Sequence, residues 1–314
     1  MFIKGVLLPL KKQPFLIFIG LLFICFIVAF TIINRPQSSN VQVHPTNDPD
    51  DAYVTNNAIK KQSGSGKAFQ LAQRIDDDDV SIKTVQSPIP KPYQSIGRLI
   101  NHKRDIAGTA VAIDDHTLLT NNHVVEESKT RPGKRNYRPA KPQFLRFKPM
   151  QTPTQTPYTF TVRSVHMIKG VDLAVVHTHE NLSDVMTPMP IASEHSIESM
   201  SFKDRIKIVG YPDPKYFESR YPSLAKIPSH QMFITQGYYL NKATTKEPQI
   251  YFNAVTRKGN SGSPMMNVNN ELIGIFPNGF NNSGRSTFKY NEEEMGYGVV
   301  MTKHVRKEIN NISY

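Results

Sequence analysis

The sequence predicts an all-β protein of two packed barrels of comparable size, closed by a C-terminal helix and preceded by an N-terminal transmembrane helix. Three observations predict it. Short apolar runs recur from Lys91 onward, each bounded by Pro, Gly or Asn. That region holds roughly 220 residues, enough for two closed sheets packed on one another. Near the N-terminus, "FLIFIGLLFICFIVAFTII" runs from Phe15 to Ile33 without a charge, close to the ~20 residues that cross a bilayer as helix.

The apolar run comes first in the chain. Lys4, Lys11 and Lys12 precede it and only Arg35 follows closely. The positive-inside bias then leaves the N-terminus in the cytoplasm and sends everything after Arg35 outside. A cleaved signal peptide would have a shorter apolar region ending in a small-x-small site, and nothing after Ile33 looks like that. Residues 1–34 are therefore read as a cytoplasmic tail and signal anchor in the cell membrane, with release by a cut further along as a variant.

Residues 35–90 are polar and poor in aromatics, with "QSSN", "HPTNDPDD" and the run Asp76 to Asp79. Such composition buries too little apolar area to fold alone, so it reads as a largely disordered extracellular stalk. Within it, "KAFQLAQRI" is the one candidate for a short helix docking onto the next domain. The aspartates lack the alternate spacing and glycine of a calcium loop and read as a solvated acidic run.

From Lys91 the strand candidates are "GTAVAI", "TLLT", "YTFTV", "LAVVH", "RIKIVG", "QMFITQGYYL", "IYFNAV", "ELIGIF" and "GYGVVM". Their β-branched and aromatic content and their length suit strands between turns. "TKHVRKEINNI" closes the chain as a helix, with Val305 and Ile309 four residues apart on one face. Residues 91–314 make one folded domain.

Composition narrows the function. The 314 residues carry a formal net charge of +12, which attracts polyanions such as cell-wall polymers or lipid headgroups. No recognition motif accompanies that charge, so nucleic acid is not an expected partner. Cys25 is the sole cysteine, which excludes an intrachain disulfide. No cofactor is expected, and no metal: His177 and His179 alternate on one strand but lack a third ligand at a useful spacing, and read as solvent-facing. The domain is expected to be a monomer.

Three stretches offer chemistry. "TLLTNNHVV" places His123 in a turn after a strand; "GVDLAVVH" places Asp172 at the start of one; "RKGNSGSP" sets Ser261 among glycines. A serine hydroxyl attacks an amide at neutral pH only if a base takes its proton. Histidine suits that task, and returns the proton to the leaving amine. A carboxylate fixes the ring tautomer and stabilises the imidazolium. Gly259, without a Cβ, is free to turn its N–H inward beside that of Ser261, forming an oxyanion hole. The residue after next, Ser263, is not glycine, which separates this pattern from the hydrolase elbow.

"LLTNNHVV", "VDLAVV", "DRIKIVGYP" and "GNSGSPMMNVNNELIGIF" resemble the matching segments of trypsin-like serine proteases, nearest to the glutamyl endopeptidase and exfoliative toxin branch. "KPYQSIG" and "GYGVVMTKHVRKEI" resemble that branch as well. The resemblance implies two six-stranded antiparallel β-barrels with the triad His123, Asp172 and Ser261 in the cleft between them. It implies a serine endopeptidase acting on protein or peptide through an acyl-enzyme, with Gly259 and Ser261 as oxyanion donors. Thr256 matches the branch's pocket threonine, whereas Phe276 stands where glutamyl endopeptidases have histidine. Two pockets follow: Arg257 and Lys258 receive an acidic side chain directly, or Phe276 makes the pocket apolar. A protease-like adhesion module that binds wall polymers without catalysis is the reading from a different class.

Overall fold

The computed structural model describes residues 65–76, 79–129, 137–218, 221–243, 248–280 and 294–312. The apolar run at Phe15–Ile33 and the first part of the stalk lie outside these. Among the described residues no helix is long and apolar enough to cross a membrane.

The first barrel closes β2 (Ile96–Asn101), β3 (Ile106–Ala112), β4 (Thr117–Thr120), β5 (Leu145–Pro149), β6 (Phe160–Ile168) and β7 (Leu173–Thr178) in the order β2-β3-β4-β7-β6-β5. Alternation decides what goes inside: β5 reads buried–half-buried along LRFKP, as a strand with one face in a core must. Leu99, Leu118, Leu145, Phe147 and Val176 fill the interior and are fully or almost fully buried.

The second barrel closes β8 (Arg205–Gly210), β9 (Phe233–Ala243), β10 (Gln249–Asn253), β13 (Met295–Val300), β12 (Leu272–Phe280) and β11 (Pro264–Met266), with β8 pairing β9 to complete the ring. Every pairing is antiparallel. Ile96, Val111, Leu119 and Leu173 of the first barrel share one apolar cluster with Ile206, Met265 and Ile275 of the second. The seam between barrels is thus a core and not a hinge, and it fixes the loops that meet above it.

The stalk does not reach as far as Pro90. Helix α1 (Ser65–Ala72) packs on β9 and β10 with Ala68 and Ala72 buried, as the docking-helix reading expects. Strand β1 (Ser81–Thr84) pairs with β9, Ser81 opposite Gln236, and Val85 and Ile89 enter the main core. A segment too polar to fold alone folds here because the barrel supplies the apolar partner surface. Short helix α2 (Lys91–Gln94) then leads into β2. At the other end, Thr302 caps the C-terminal helix through its hydroxyl, which accepts from Val305 N–H, and Val305 and Ile309 are its buried residues.

Candidate active site

His123 lies in α3 (Asn122–Val125), the single helical turn that follows β4. Asp172 directly precedes β7. β4 and β7 are neighbours, with Thr120 opposite Ala174, so the ladder itself brings the histidine and the aspartate together. His123 Nδ1 lies 2.8 Å from Asp172 Oδ2, and the His123 backbone N–H donates to Asp172 Oδ1 at 3.3 Å. Both side chains are largely sequestered, at 13% and 5% exposure. A carboxylate on Nδ1 selects the tautomer that leaves Nε2 as the acceptor.

The surrounding loop is held by amides. Asn121 Nδ2 donates to Asp172 O at 2.7 Å, and Asn122 Nδ2 to Val171 O at 2.8 Å. Arg104 donates to the His123 carbonyl and to Glu126 Oε1, each at 2.7 Å. The asparagines and Arg104 were not among the candidates read from sequence. The "TNNH" stretch carried a signal: two buried amides in series beside an irregular turn must satisfy backbone groups that no ladder reaches.

Ser261 arrives from the other barrel, in the loop between β10 and β11. Its carbonyl accepts from Thr109 N–H of β3 at 2.7 Å. Gly108, the neighbour of Thr109, marks how tightly the parts meet: a Cβ there would lie 2.7 Å from Val124 and 2.8 Å from Ser261 O. The serine loop therefore abuts the residue that follows His123. Gly262 adopts φ +88°, and a Cβ on it would come within 1.9 Å of Thr109 O; only glycine fits. Ser261 Oγ donates to Pro277 O at 3.1 Å. Since a hydroxyl holds one proton and turns freely, transfer to His123 requires it to rotate away from that carbonyl.

Gly259 has φ +98°. The carbonyl of Lys258 accepts from Asp213 N–H at 2.7 Å, and the carbonyl of Gly259 accepts from Thr109 Oγ1 at 3.0 Å. A trans peptide holds its C=O and N–H on opposite sides, so fixing the Lys258 carbonyl on Asp213 aims the Gly259 N–H away from that strap. Among the described residues, neither the Gly259 nor the Ser261 N–H donates to a protein acceptor. Two donors left open beside a serine suit an oxyanion.

The pocket reading from sequence needs correction at Arg257 and Phe276. Arg257 is fully buried: it holds Glu294 bidentately, 2.7 Å for each bond, and also donates to Tyr216 O and Thr256 O. A buried guanidinium so engaged has no free pair of donors left for a substrate carboxylate. Phe276 is 2% exposed and meets Phe252 edge-on within the main core, 5.8 Å between centroids. Its backbone serves the loop instead, accepting from Gly262 N–H and donating to Ser263 O. Thr256 is fully buried, and its hydroxyl has no hydrogen-bond partner among the described residues. Lys258 lines a cavity beside Gly259. His177 likewise departs from expectation: it is 1% exposed and its Nδ1 lies 3.0 Å from Ser164 Oγ, while His179 is exposed.

A family model described as "Trypsin-like peptidase domain" matches residues 108–275, which takes in His123, Asp172 and Ser261 in order. The chain belongs to the trypsin-like peptidase family. This peptidase is 26% identical over 232 residues to exfoliative toxin A of Staphylococcus aureus, covering 70% of each chain. A solved structure of a Glu endopeptidase in complex with MPD aligns with a TM-score of 0.54 at 20% identity, over 73% of this chain and 95% of that one. At that identity the likeness concerns the fold: two antiparallel six-stranded barrels with a C-terminal helix.

Proposed function

We propose that this peptidase is a serine endopeptidase in which Ser261 attacks the scissile carbonyl. His123 is the base and then the acid, Asp172 holds the ring, and Gly259 and Ser261 N–H groups bind the oxyanion. The observation that supports it most is the 2.8 Å contact of His123 Nδ1 with Asp172 Oδ2, set in the seam where the Ser261 loop crosses Thr109. Attack transfers the Ser261 proton to Nε2 and forms a tetrahedral oxyanion; as the C–N bond breaks, the same proton passes to the amine and the Ser261 ester remains. Water then repeats the sequence to release the acid. A fluorophosphonate probe tests this directly. It should add to Ser261 and label neither S261A nor H123A; cleavage that survives in S261A would refute the assignment, and an intact protein that takes no label would favour the adhesion module.

The apolar run Phe15–Ile33 would anchor the chain with the peptidase domain outside the cell. Cell fractionation checks it: the full chain should sediment with membranes, and a chain lacking residues 1–34 should not. For the residue before the scissile bond, we favour acidic side chains. Support comes from the Thr256 hydroxyl, buried and without a partner, and from the two relatives of the same branch. Peptides differing only at that residue decide it; faster turnover after Leu or Phe would overturn the acidic preference.

A further inference from the structure

A cavity of about 350 Å³ opens beside Gly259, and neither Thr256 nor Ser261 lines it. One wall is the start of β3 with Arg98 of β2; the other is the segment after β8, including Tyr211, Asp213 and Lys215. Lys258 and His230 complete the rim.

Arg98 is the unusual group. It is half-buried, and among the described residues its guanidinium makes one hydrogen bond, to Gln151 Oε1 at 3.1 Å. No carboxylate pairs with it among the described residues. Burial lowers its pKa, and the Tyr211 and Asp213 side chains only partly offset this. A partly desolvated guanidinium without an anion is costly unless one arrives. Of the two carboxylates lining the cavity, Asp213 is paired with Lys215 at 2.9 Å, which leaves Asp105 opposed by Arg98 and Lys258. The field on the far wall is positive as well: burial lowers the pKa of His230, and Arg98 and Lys148 lower it further.

We propose that this cavity is an anion subsite, in which Arg98 receives the carboxylate of an acidic substrate side chain on the leaving-group side of the scissile bond. The proposal rests on the protease reading. Direction follows from the lining: Gly259, whose N–H would meet the reacting carbonyl, borders this cavity, whereas Thr256, the pocket threonine for the residue before the bond, does not. An extended substrate advancing about 3.3 Å per residue then brings one of its next few side chains over Arg98. Arg98 is fixed by β2 and by Gln151, so a bidentate carboxylate contact costs it little ordering.

The test uses peptide pairs carrying Glu or Gln at each of the three positions after the scissile bond, with the full chain, R98Q and R98K. For the intact protein, kcat/KM should favour Glu over Gln by about tenfold at one of those positions, the size of a charged hydrogen bond. R98Q should bring that ratio to about one while cleaving the Gln peptides as before, and R98K should restore part of it. Equal ratios in the intact protein and R98Q would overturn the subsite, as would a charge preference confined to the positions before the bond. Fluorophosphonate labelling separates the two readings: R98Q that labels normally but keeps the Glu preference refutes the subsite alone, whereas absent labelling of the intact protein refutes the protease.

Discussion

In the first barrel, His123 follows β4 by three residues and Asp172 touches the start of β7, and those two strands are hydrogen-bonded neighbours. In the second, Ser261 hangs in a loop spanning residues 254–263, positioned by atoms from the other barrel. His123 and Asp172 are thus set by a regular ladder, and Ser261 by polar contacts that include several across a seam. Thr109 concentrates those contacts. Its N–H donates to Ser261 O, its hydroxyl donates to Gly259 O and accepts from Tyr211 N–H, and its carbonyl accepts from Thr120 Oγ1. A ladder spreads its hold over many backbone bonds; across the seam, several polar contacts to the serine loop gather on one threonine.

The largest expected effect breaks both halves at once. S261A and H123A should each lower kcat on the order of 10⁶-fold, and D172N about 10⁴-fold, with unchanged thermal unfolding for all three. Next comes the buried pair behind the serine loop. Removing one partner strands a charge, so E294A should cost about 3–5 kcal/mol in urea unfolding. A double change, R257M with E294L, should recover most of it, because the burial then needs no ion pair. If E294A unfolds no more easily than the wild type, the pair is not holding the loop.

The comparison sharpens with T109V, which keeps the shape and removes the hydroxyl. It should lower kcat about tenfold through the Gly259 carbonyl, with a stability cost near 1 kcal/mol and little change in KM. An equal loss in an alanine change at Thr117, in the same barrel but away from the seam, would make the effect merely structural. The smallest effect is at His177. Burial lowers its pKa, with neighbouring His166 adding to this and Asp114 opposing. The folded chain therefore holds that ring neutral while the unfolded chain protonates near its usual value of about 6.5. Stability from this site is present above that pH and declines as pH falls below it. H177Q should flatten the melting temperature between pH 7 and pH 5; an unchanged slope would assign the pH dependence elsewhere.

Most of the strands were legible because their residues are β-branched or aromatic between turns: "TLLT" and "RIKIVG" coincide with β4 and β8. β1, β2, β5 and β11 were not. SIKT, IGRLIN, LRFKP and PMM carry Gly, Arg, Lys or Pro, and only pairing partners distant in the chain make them strands. The residue types of the proposed triad were visible in their local motifs, since the proposed chemistry dictates residue type. Pocket residues were not, because a guanidinium in "TRKG" looks the same whether it faces substrate or Glu294. That partner stands 37 residues further on, with no sequence signal linking the two. Arg98 was hidden too: its proposed role lies in the absence of a carboxylate partner among the described residues.

Helix α1 and strand β1 alter what shedding from a membrane would mean. A proteolytic nick ahead of Ser65 liberates a body whose second barrel still wears its full coat. A nick around residues 77 and 78 strips Phe69, Leu71 and Ala72 from β9 and β10, baring greasy surface that invites aggregation. Any protease that released an anchored form of this chain would therefore have to cut ahead of Ser65, and a peptidase trimmed more closely would lose solubility before it lost Ser261.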